Sequence, residues 1–261
     1  MARGYGKSGI SWPVQERTSD PIAKFFQEGS KLSWHWNWNK NWKSILPETS
    51  KDLTIDAEFV AMIFAPDYLD NGVELDPSVQ IVMGYNEPDH NDASVAVHQS
   101  ARDAAIAWTH LAKLRETHGV KLASPAIAGN IPWLQEWFAQ IPDDTRPDYL
   151  TVHIYTTTFD DFVRQVVNFW NLFRLPIIVS EFAMHSFAPG VPPPTDMQQV
   201  HDFMGQITQW LDQTDFIAKY SWFGAVRDGY NLHGVSPLNR LMDEHGELTA
   251  LGQQYVAGGH A

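Results

Sequence analysis

The sequence predicts an α/β protein, specifically a single-domain (β/α)8 TIM barrel, because short apolar segments alternate with amphipathic ones along the chain. Eight segments are predicted as strands: 8–12, 31–36, 58–64, 79–85, 121–126, 149–155, 176–182 and 217–223. Several are nearly continuous hydrophobic runs, which is typical of parallel strands covered on both faces. A length of 261 residues suits one barrel. We therefore expect residues 1–261 to form one domain.

Helical segments lie between most of these strands. We predict helices at 21–28, 94–118, 132–140, 159–173, 196–213 and 248–256. The clearest is 94–118, where Ala104, Trp108 and Leu111 belong to an apolar stripe with helical spacing. A doubly wound open sheet is the alternative. It is disfavoured because no glycine-rich phosphate-binding loop follows the first strand.

Charge and composition exclude several classes of partner and chemistry. A formal net charge of −13 would repel nucleic acids and anionic membranes, so we expect neither as a partner. The absence of cysteine excludes disulfides and thiol nucleophiles. No run of about 18 uncharged apolar residues predicts a membrane-spanning helix. The N-terminal residues lack the apolar core of a signal peptide. We expect a monomer that binds a neutral substrate.

Two glutamates follow predicted strands, at the end of the barrel where enzymes of this fold place their catalytic groups. Glu87 follows the fourth strand, directly after Asn86, and Glu181 ends the seventh. The alternation of side chains along a strand lets both carboxylates point into the barrel mouth. Glycoside hydrolysis uses two such carboxylates, one as proton donor and one as nucleophile. A single glutamate at a strand end is more often a solvated rim residue, so the prediction depends on the pair.

Aromatic residues are concentrated at the end of the second predicted strand. Trp34 and Trp36 alternate there with His35 and Asn37, in a chain that has 11 tryptophans. Tryptophan rings can stack on the C–H faces of sugars, and this polar setting is unusual for a pure core. We expect Trp34, Trp36 and Asn37 to line a sugar subsite, with core packing as the alternative for each tryptophan.

These motifs, in their order along the chain, resemble glycoside hydrolase family 128, a family of β-1,3-glucanases. The segments that carry the resemblance are 34–38 (WHWNW), 84–89 (GYNEPD), 153–155 (HIY), 180–183 (SEFA), 220–223 (YSWF) and 246–255 (GELTALGQQY). They span most of residues 8–256. More broadly, the segments 86–88 (NEP) and 180–182 (SEF) resemble the clan of retaining glycosidases that carry catalytic glutamates on the fourth and seventh strands.

The resemblance implies a retaining endo-β-1,3-glucanase that acts on laminarin- or curdlan-type glucan by double displacement. Glu87 would be the acid/base and Glu181 the nucleophile. The remaining implied substrate contacts are Asn86 at the sugar 2-hydroxyl, Tyr155 beside Glu181, His153 on the floor and Trp222 as a stacking platform. We expect the pKa of Glu87 to be raised by the anionic Glu181.

No cofactor is expected, and no histidine spacing indicates a metal site, since a glutamate pair needs neither. A polysaccharide substrate favours a secreted protein in the native context. Two alternatives stay open. One is a related glycosidase that acts on another β-glycan, and the other is a barrel that binds β-glucan without cleaving it.

Overall fold

The strands of the structure, a computed structural model, occupy all eight predicted segments. The structure describes residues 6–13, 21–46, 50–69 and 72–260. In order, the strands are β1 (Ser8–Ser11), β2 (Trp34–Trp36), β3 (Glu58–Phe59), β4 (Ala61–Met62), β5 (Ile81–Met83), β6 (Lys121–Ala123), β7 (Leu150–Thr156), β8 (Ile177–Met184) and β9 (Ile217–Trp222). The third predicted strand is divided into β3 and β4, so β5 is the fourth predicted strand and β8 the seventh.

The strands pair in parallel, in the circular order of a barrel. One sheet has the order β3-β2-β1-β9-β8-β7, so the first and last strands are neighbours, and the other has the order β4-β5-β6. The two sheets meet at two seams. At one, β3 continues into β4 through Val60, and at the other the parallel bridges Ala123–Tyr149 and Ile127–Val152 connect β6 to β7. The predicted α/β class with parallel strands is confirmed.

The α-helices lie at the predicted helical segments, but the 94–118 segment is helical only from Ala101 and is divided at Lys113. They are α1 (Ala101–Ala112), α2 (Leu114–His118), α3 (Ile131–Gln140), α4 (Phe159–Phe173), α5 (Met197–Gln213) and α6 (Ala250–Val256), and the predicted 21–28 helix is a 3-10 helix at Pro21–Phe26. Side chains cap several N-termini; Thr158, for example, accepts a hydrogen bond from the Asp161 N–H. In the described ranges, no helix is long and apolar enough to cross a bilayer.

A buried ion pair lies inside the barrel near the beginnings of the strands. Lys219 Nζ is 2.6 Å from Glu58 Oε2, and the two side chains are only 8% and 6% exposed. The ammonium group also lies 5.5 Å from the ring centroid of Trp34. Because both charges are removed from water, each depends on the other for compensation.

Replacing Lys219 by methionine is therefore expected to lower the free energy of unfolding by about 3–5 kcal/mol, since it leaves a buried carboxylate without its partner. Denaturant unfolding of Lys219→Met measures the loss. The double variant Glu58→Met/Lys219→Met is the control, because replacing both charges by apolar groups should recover much of the stability. Equal stability of Lys219→Met and the wild type would contradict this prediction.

Candidate active site

A cavity of about 830 Å³ opens where the strands of the barrel end. Both predicted catalytic residues, Glu87 and Glu181, line it. The other polar residues predicted for the site that line it are Asn37, Asn86, His153 and Tyr155. These side chains come from the ends of four different strands, so only the folded barrel brings them together.

The two glutamates lie side by side, and His153 lies between them. Ligand atoms of Glu87, His153 and Glu181 are all within 4.8 Å of one another. His153 Nδ1 is 2.7 Å from Glu87 Oε1, and Nε2 of the same ring is 3.4 Å from Glu181 Oε1. Glu181 also accepts two hydrogen bonds, from Trp38 Nε1 at 2.9 Å and from the Tyr155 hydroxyl at 2.6 Å. These contacts fix the position of Glu181 and satisfy its negative charge.

The backbone around the cavity is held in an unfavourable conformation. Four non-glycine residues in the described segments have positive φ, and three of them, Trp38 (57°), Glu87 (42°) and His233 (50°), line the cavity. The Glu87 N–H is held by the carbonyl of Ala126 at 2.7 Å. Such conformations cost on the order of 1–3 kcal/mol each and concentrate at functional sites. Their grouping here is therefore a second indication, from the backbone, that the cavity is a functional site.

The protonation of the two glutamates differs from the sequence-based expectation because of His153. Burial favours neutral Glu87, but the hydrogen bond and charge of His153 outweigh it and lower the pKa of Glu87. Burial raises the pKa of Glu181, and His153 opposes this shift. Burial also disfavours protonated His153, but Glu181 and Glu87 outweigh it and raise the pKa of His153. A proton shared by His153 and Glu87 is the state that these pKa shifts and the 2.7 Å contact favour, which the sequence alone did not indicate.

This arrangement predicts a bell-shaped pH profile that depends on His153. The acidic limb reports protonation of Glu181, whose pKa lies above its ordinary 4.5. The alkaline limb reports loss of the proton shared by His153 and Glu87, and it lies above pH 6.5 because the pKa of His153 is raised. In His153→Asn the glutamates are the remaining members of the cluster, so the alkaline limb of kcat/KM is expected to move to lower pH. An alkaline limb that did not move would contradict this role.

Two amide side chains that line the cavity carry acceptor atoms without a partner in the described part of the chain. Asn37 Nδ2 donates to the Trp42 carbonyl at 3.2 Å, and Asn86 Nδ2 donates to the Val95 carbonyl at 3.1 Å. The Oδ1 atoms of Asn37 and Asn86 are buried and have no hydrogen-bond partner among the described residues. A buried acceptor without a partner is costly, so these two oxygens are suited to accept hydrogen bonds from ligand hydroxyls.

Replacing Asn37 by leucine is expected to lower kcat/KM for a hydroxyl-rich substrate by about 10- to 100-fold, because one hydroxyl loses its acceptor in a buried site. Steady-state kinetics measure the loss. A panel of monodeoxy substrates is the control, since the penalty should disappear for the substrate that lacks the hydroxyl bound by Asn37. A penalty that is equal for all members of the panel would contradict a specific contact.

The structure corrects the prediction that Trp34, Trp36 and Trp222 contact the sugar. All three side chains are fully buried, and none lines the cavity. Their indole N–H groups are used within the protein, by the Lys7 carbonyl, by Ser221 Oγ and by the Asn239 carbonyl respectively. Trp34 and Trp36 fill the barrel interior, and Trp222 packs outward against Phe203 and Tyr255. Core packing, the alternative given for Trp34 and Trp36, is correct for both, and Trp222 belongs to the core as well.

Other aromatic side chains line the cavity instead. They are Trp38, Phe64, Phe187 and Phe223, in addition to Tyr155. Trp38 continues the alternation of Trp34 and Trp36, and its indole N–H reaches Glu181. Phe223 follows β9 directly, so the rule that site residues follow strands would have found it. Phe187 lies in a loop, where no sequence periodicity indicates the direction of a side chain.

The cluster of Glu87, His153 and Glu181 has the geometry that a divalent cation would need. Several of its atoms make bonds within the protein. Both oxygens of Glu181 accept hydrogen bonds, and His153 Nδ1 contacts Glu87. These internal bonds hold the carboxylates in place.

Comparison with known proteins gives the class of this protein. Residues 9–255 match the family model of the glycosyl hydrolase catalytic core. No curated protein sequence matches the chain. Among solved structures, a family 128 subgroup V exo-β-1,3-glucanase from Cryptococcus neoformans is 59% identical with a TM-score of 0.92, and the match covers 98% of this chain and 100% of that one. The chain therefore belongs to glycoside hydrolase family 128.

Two more distant structures have the same fold. A subgroup VI exo-β-1,3-glucanase from Aureobasidium namibiae is 25% identical, with a TM-score of 0.76 and coverage of 97% of this chain and 96% of that chain. A subgroup II endo-β-1,3-glucanase from Sorangium cellulosum is 24% identical, with a TM-score of 0.76 and coverage of 97% and 99%. At 24% identity, the similarity to the Sorangium cellulosum structure concerns the fold alone.

Proposed function

We propose that this protein is a retaining β-1,3-glucanase that removes sugars from chain ends. The observation that carries the retaining mechanism is the distance between the carboxylates, since oxygens of Glu87 and Glu181 lie within 4.8 Å of each other. Retaining enzymes hold the two carboxyl groups about 5–5.5 Å apart, whereas inverting enzymes need about 6.5–9.5 Å to admit a water molecule between them and the sugar.

In the first step, ionised Glu181 attacks the anomeric carbon and the glycosidic bond breaks. Glu87 gives the leaving oxygen the proton that it shares with His153, so the step leaves a glycosyl ester on Glu181, ionised Glu87 and neutral His153. In the second step, Glu87 takes a proton from water, the hydroxide displaces Glu181, and the sugar is released with its configuration retained. Trp38 and Tyr155 stabilise Glu181 when it is ionised, before the first step and after the second.

Two observations support action at chain ends rather than the endo action expected from the sequence. The Cryptococcus neoformans structure, 59% identical, is an exo-β-1,3-glucanase. Loops also approach the cavity from two sides: Asp92 and Val95 line it from the loop after β5, and Asn231 and His233 line it from the loop after β9. Loops on two sides of a cleft limit how far a polymer can extend through it.

Early products from laminarin test the linkage and the mode of action together. Exo action releases one small sugar from the first minutes and lowers the viscosity slowly, whereas endo action produces a ladder of oligosaccharides. Proton NMR of the first product tests retention, since a retaining enzyme releases the β-anomer before mutarotation. An initial α-anomer would overturn the mechanism, and a ladder would favour endo action. Glu181→Gln, prepared identically, is the control for contaminating activity.

Substrate class and catalysis are tested by a panel of β-glycans. Hydrolysis of cellulose or mannan in place of laminarin would favour a related glycosidase with another specificity. Binding of laminarin without any release of reducing ends would favour a β-glucan-binding barrel. The paired carboxylates disfavour that outcome, because a binding protein has no use for an acid and a nucleophile held within 4.8 Å of each other. Activity that persists in the presence of a chelator would agree with a reaction that needs no metal.

A further inference from the structure

Phe187 is the most exposed of the large apolar side chains in the part of the chain that the structure describes, at 58%. It lies in the loop after β8 and lines the same cavity as the two glutamates. All 11 tryptophans, in contrast, are buried or half-buried. A large exposed ring costs free energy in water, and at the edge of a ligand cavity it is a candidate contact for an apolar surface of the ligand.

The ring of Phe187 is held from more than one side. It packs edge to face against Tyr155, with ring centroids 5.2 Å apart, and against His185 at 4.6 Å. Gly234, from the loop after β9, completes the support. A Cβ at Gly234 would lie 3.3 Å from Phe187 Cε1, so the absence of a side chain lets this loop approach the ring. Phe187 is therefore a positioned side chain, although more than half of its surface is open to solvent.

The contact with Tyr155 places Phe187 one side chain away from the reaction. The Tyr155 hydroxyl donates to Glu181 Oε2 at 2.6 Å, and its ring contacts Phe187. Ser186 and Gln165, which line the same cavity, offer hydrogen-bonding groups. An aromatic ring beside polar groups suits a pyranose, whose C–H faces are apolar and whose hydroxyls lie at the edge.

We propose that Phe187 is the stacking platform of a glucosyl subsite adjacent to the one in which the bond is cleaved. The ligand is an all-equatorial β-linked pyranose of the glucan chain, because such a ring has no axial hydroxyl on either face and can lay a flat C–H face on the phenyl ring. This proposal rests on the proposed function and extends it to a second sugar unit. It gives Phe187 the role that the sequence had predicted for the buried tryptophans.

The test uses the full-length chain with Glu181→Gln, so that laminari-oligosaccharides bind without being cleaved, and measures Kd by calorimetry. Adding Phe187→Ala is expected to weaken binding of laminaritriose by about tenfold, or ~1.4 kcal/mol. Adding Phe187→Leu should give a similar loss, because leucine is apolar but has no aromatic face, whereas Phe187→Tyr should retain the affinity. Val191→Ala is the matched control, since Val191 is 40% exposed, lies in the same loop and does not line the cavity.

The outcomes separate this proposal from the proposed function. Loss of affinity with alanine and leucine, but not with tyrosine or at Val191, supports the platform. Unchanged affinity in Phe187→Ala overturns the platform, while hydrolysis of laminarin by the wild type would still support the proposed function. Equal losses in Phe187→Ala and Val191→Ala also overturn it, because they indicate a disturbed loop. A wild type that neither binds nor cleaves laminarin overturns both.

Discussion

Replacing Glu181 by alanine is expected to lower the rate of glucan hydrolysis by about 10⁴-fold or more, because the reaction loses its nucleophile. Assays on laminarin measure the loss. Tyr155→Phe is an informative companion, because it removes one hydrogen bond to Glu181 and keeps the carboxylate. The rate of hydrolysis should fall far less in Tyr155→Phe than in Glu181→Ala. Comparable losses in the two variants would contradict the assignment of the nucleophile.

Chemical rescue makes the test of Glu181 specific. The shorter alanine side chain leaves space for azide where the carboxylate was. Azide can then attack the anomeric carbon from the face that Glu181 would use. With an aryl β-glucoside whose leaving group needs no proton, Glu181→Ala should therefore form the α-glycosyl azide. Formation of the β-azide would assign the nucleophile to another residue.

Replacing Glu87 by alanine is expected to lower hydrolysis of laminarin by about 10²- to 10⁴-fold, through loss of general acid–base catalysis. The loss should depend on the leaving group. Substrates with good leaving groups should form the glycosyl-enzyme at nearly the normal rate and then accumulate it, because water is no longer activated. An initial burst of released phenol, visible in stopped-flow measurements, would show this accumulation.

Azide again distinguishes the two glutamates. In Glu87→Ala, azide should attack the glycosyl-enzyme from the side where water enters and give the β-glycosyl azide. The two alanine variants are thus each other's control, since they should yield azides of opposite configuration. The same anomer from both variants would contradict the division of roles.

Much of the fold could be predicted from the sequence because it depends on local patterns. Buried parallel strands require continuous apolar segments, and all eight predicted segments contain strands. The position of Glu87 and Glu181 in one cavity followed from the same pattern, since residues that follow barrel strands meet at one end. The sequence did not predict correctly in which direction individual side chains point. Trp34 and Trp36 precede Trp38 at alternating positions, yet the chain changes direction at Trp38, where φ is 57°.

The role of His153 could not be predicted for a different reason. The sequence placed His153 on the floor of the site, but the protonation of Glu87 depends on a distance of 2.7 Å between two side chains on different strands. Strand pairing is irregular at this point, with a register shift between Val152 and His153. A shift of one residue decides which side chains meet, and no local pattern encodes it. Phe187 was missed because its loop has no repeating geometry.

The seams between the two sheets have a consequence for how the protein tolerates heat. Glu87 follows β5, in the sheet of three short strands, whereas Glu181 and His153 belong to longer strands of the other sheet. The strands of the small sheet are only two or three residues long, so it is the region we expect to open first in local fluctuations. Opening would carry Glu87 away from His153 and Glu181 while β7, β8 and β9 remained paired. Activity would then be lost by reversible local opening of the small sheet. This loss would occur at a lower temperature than unfolding of the whole chain.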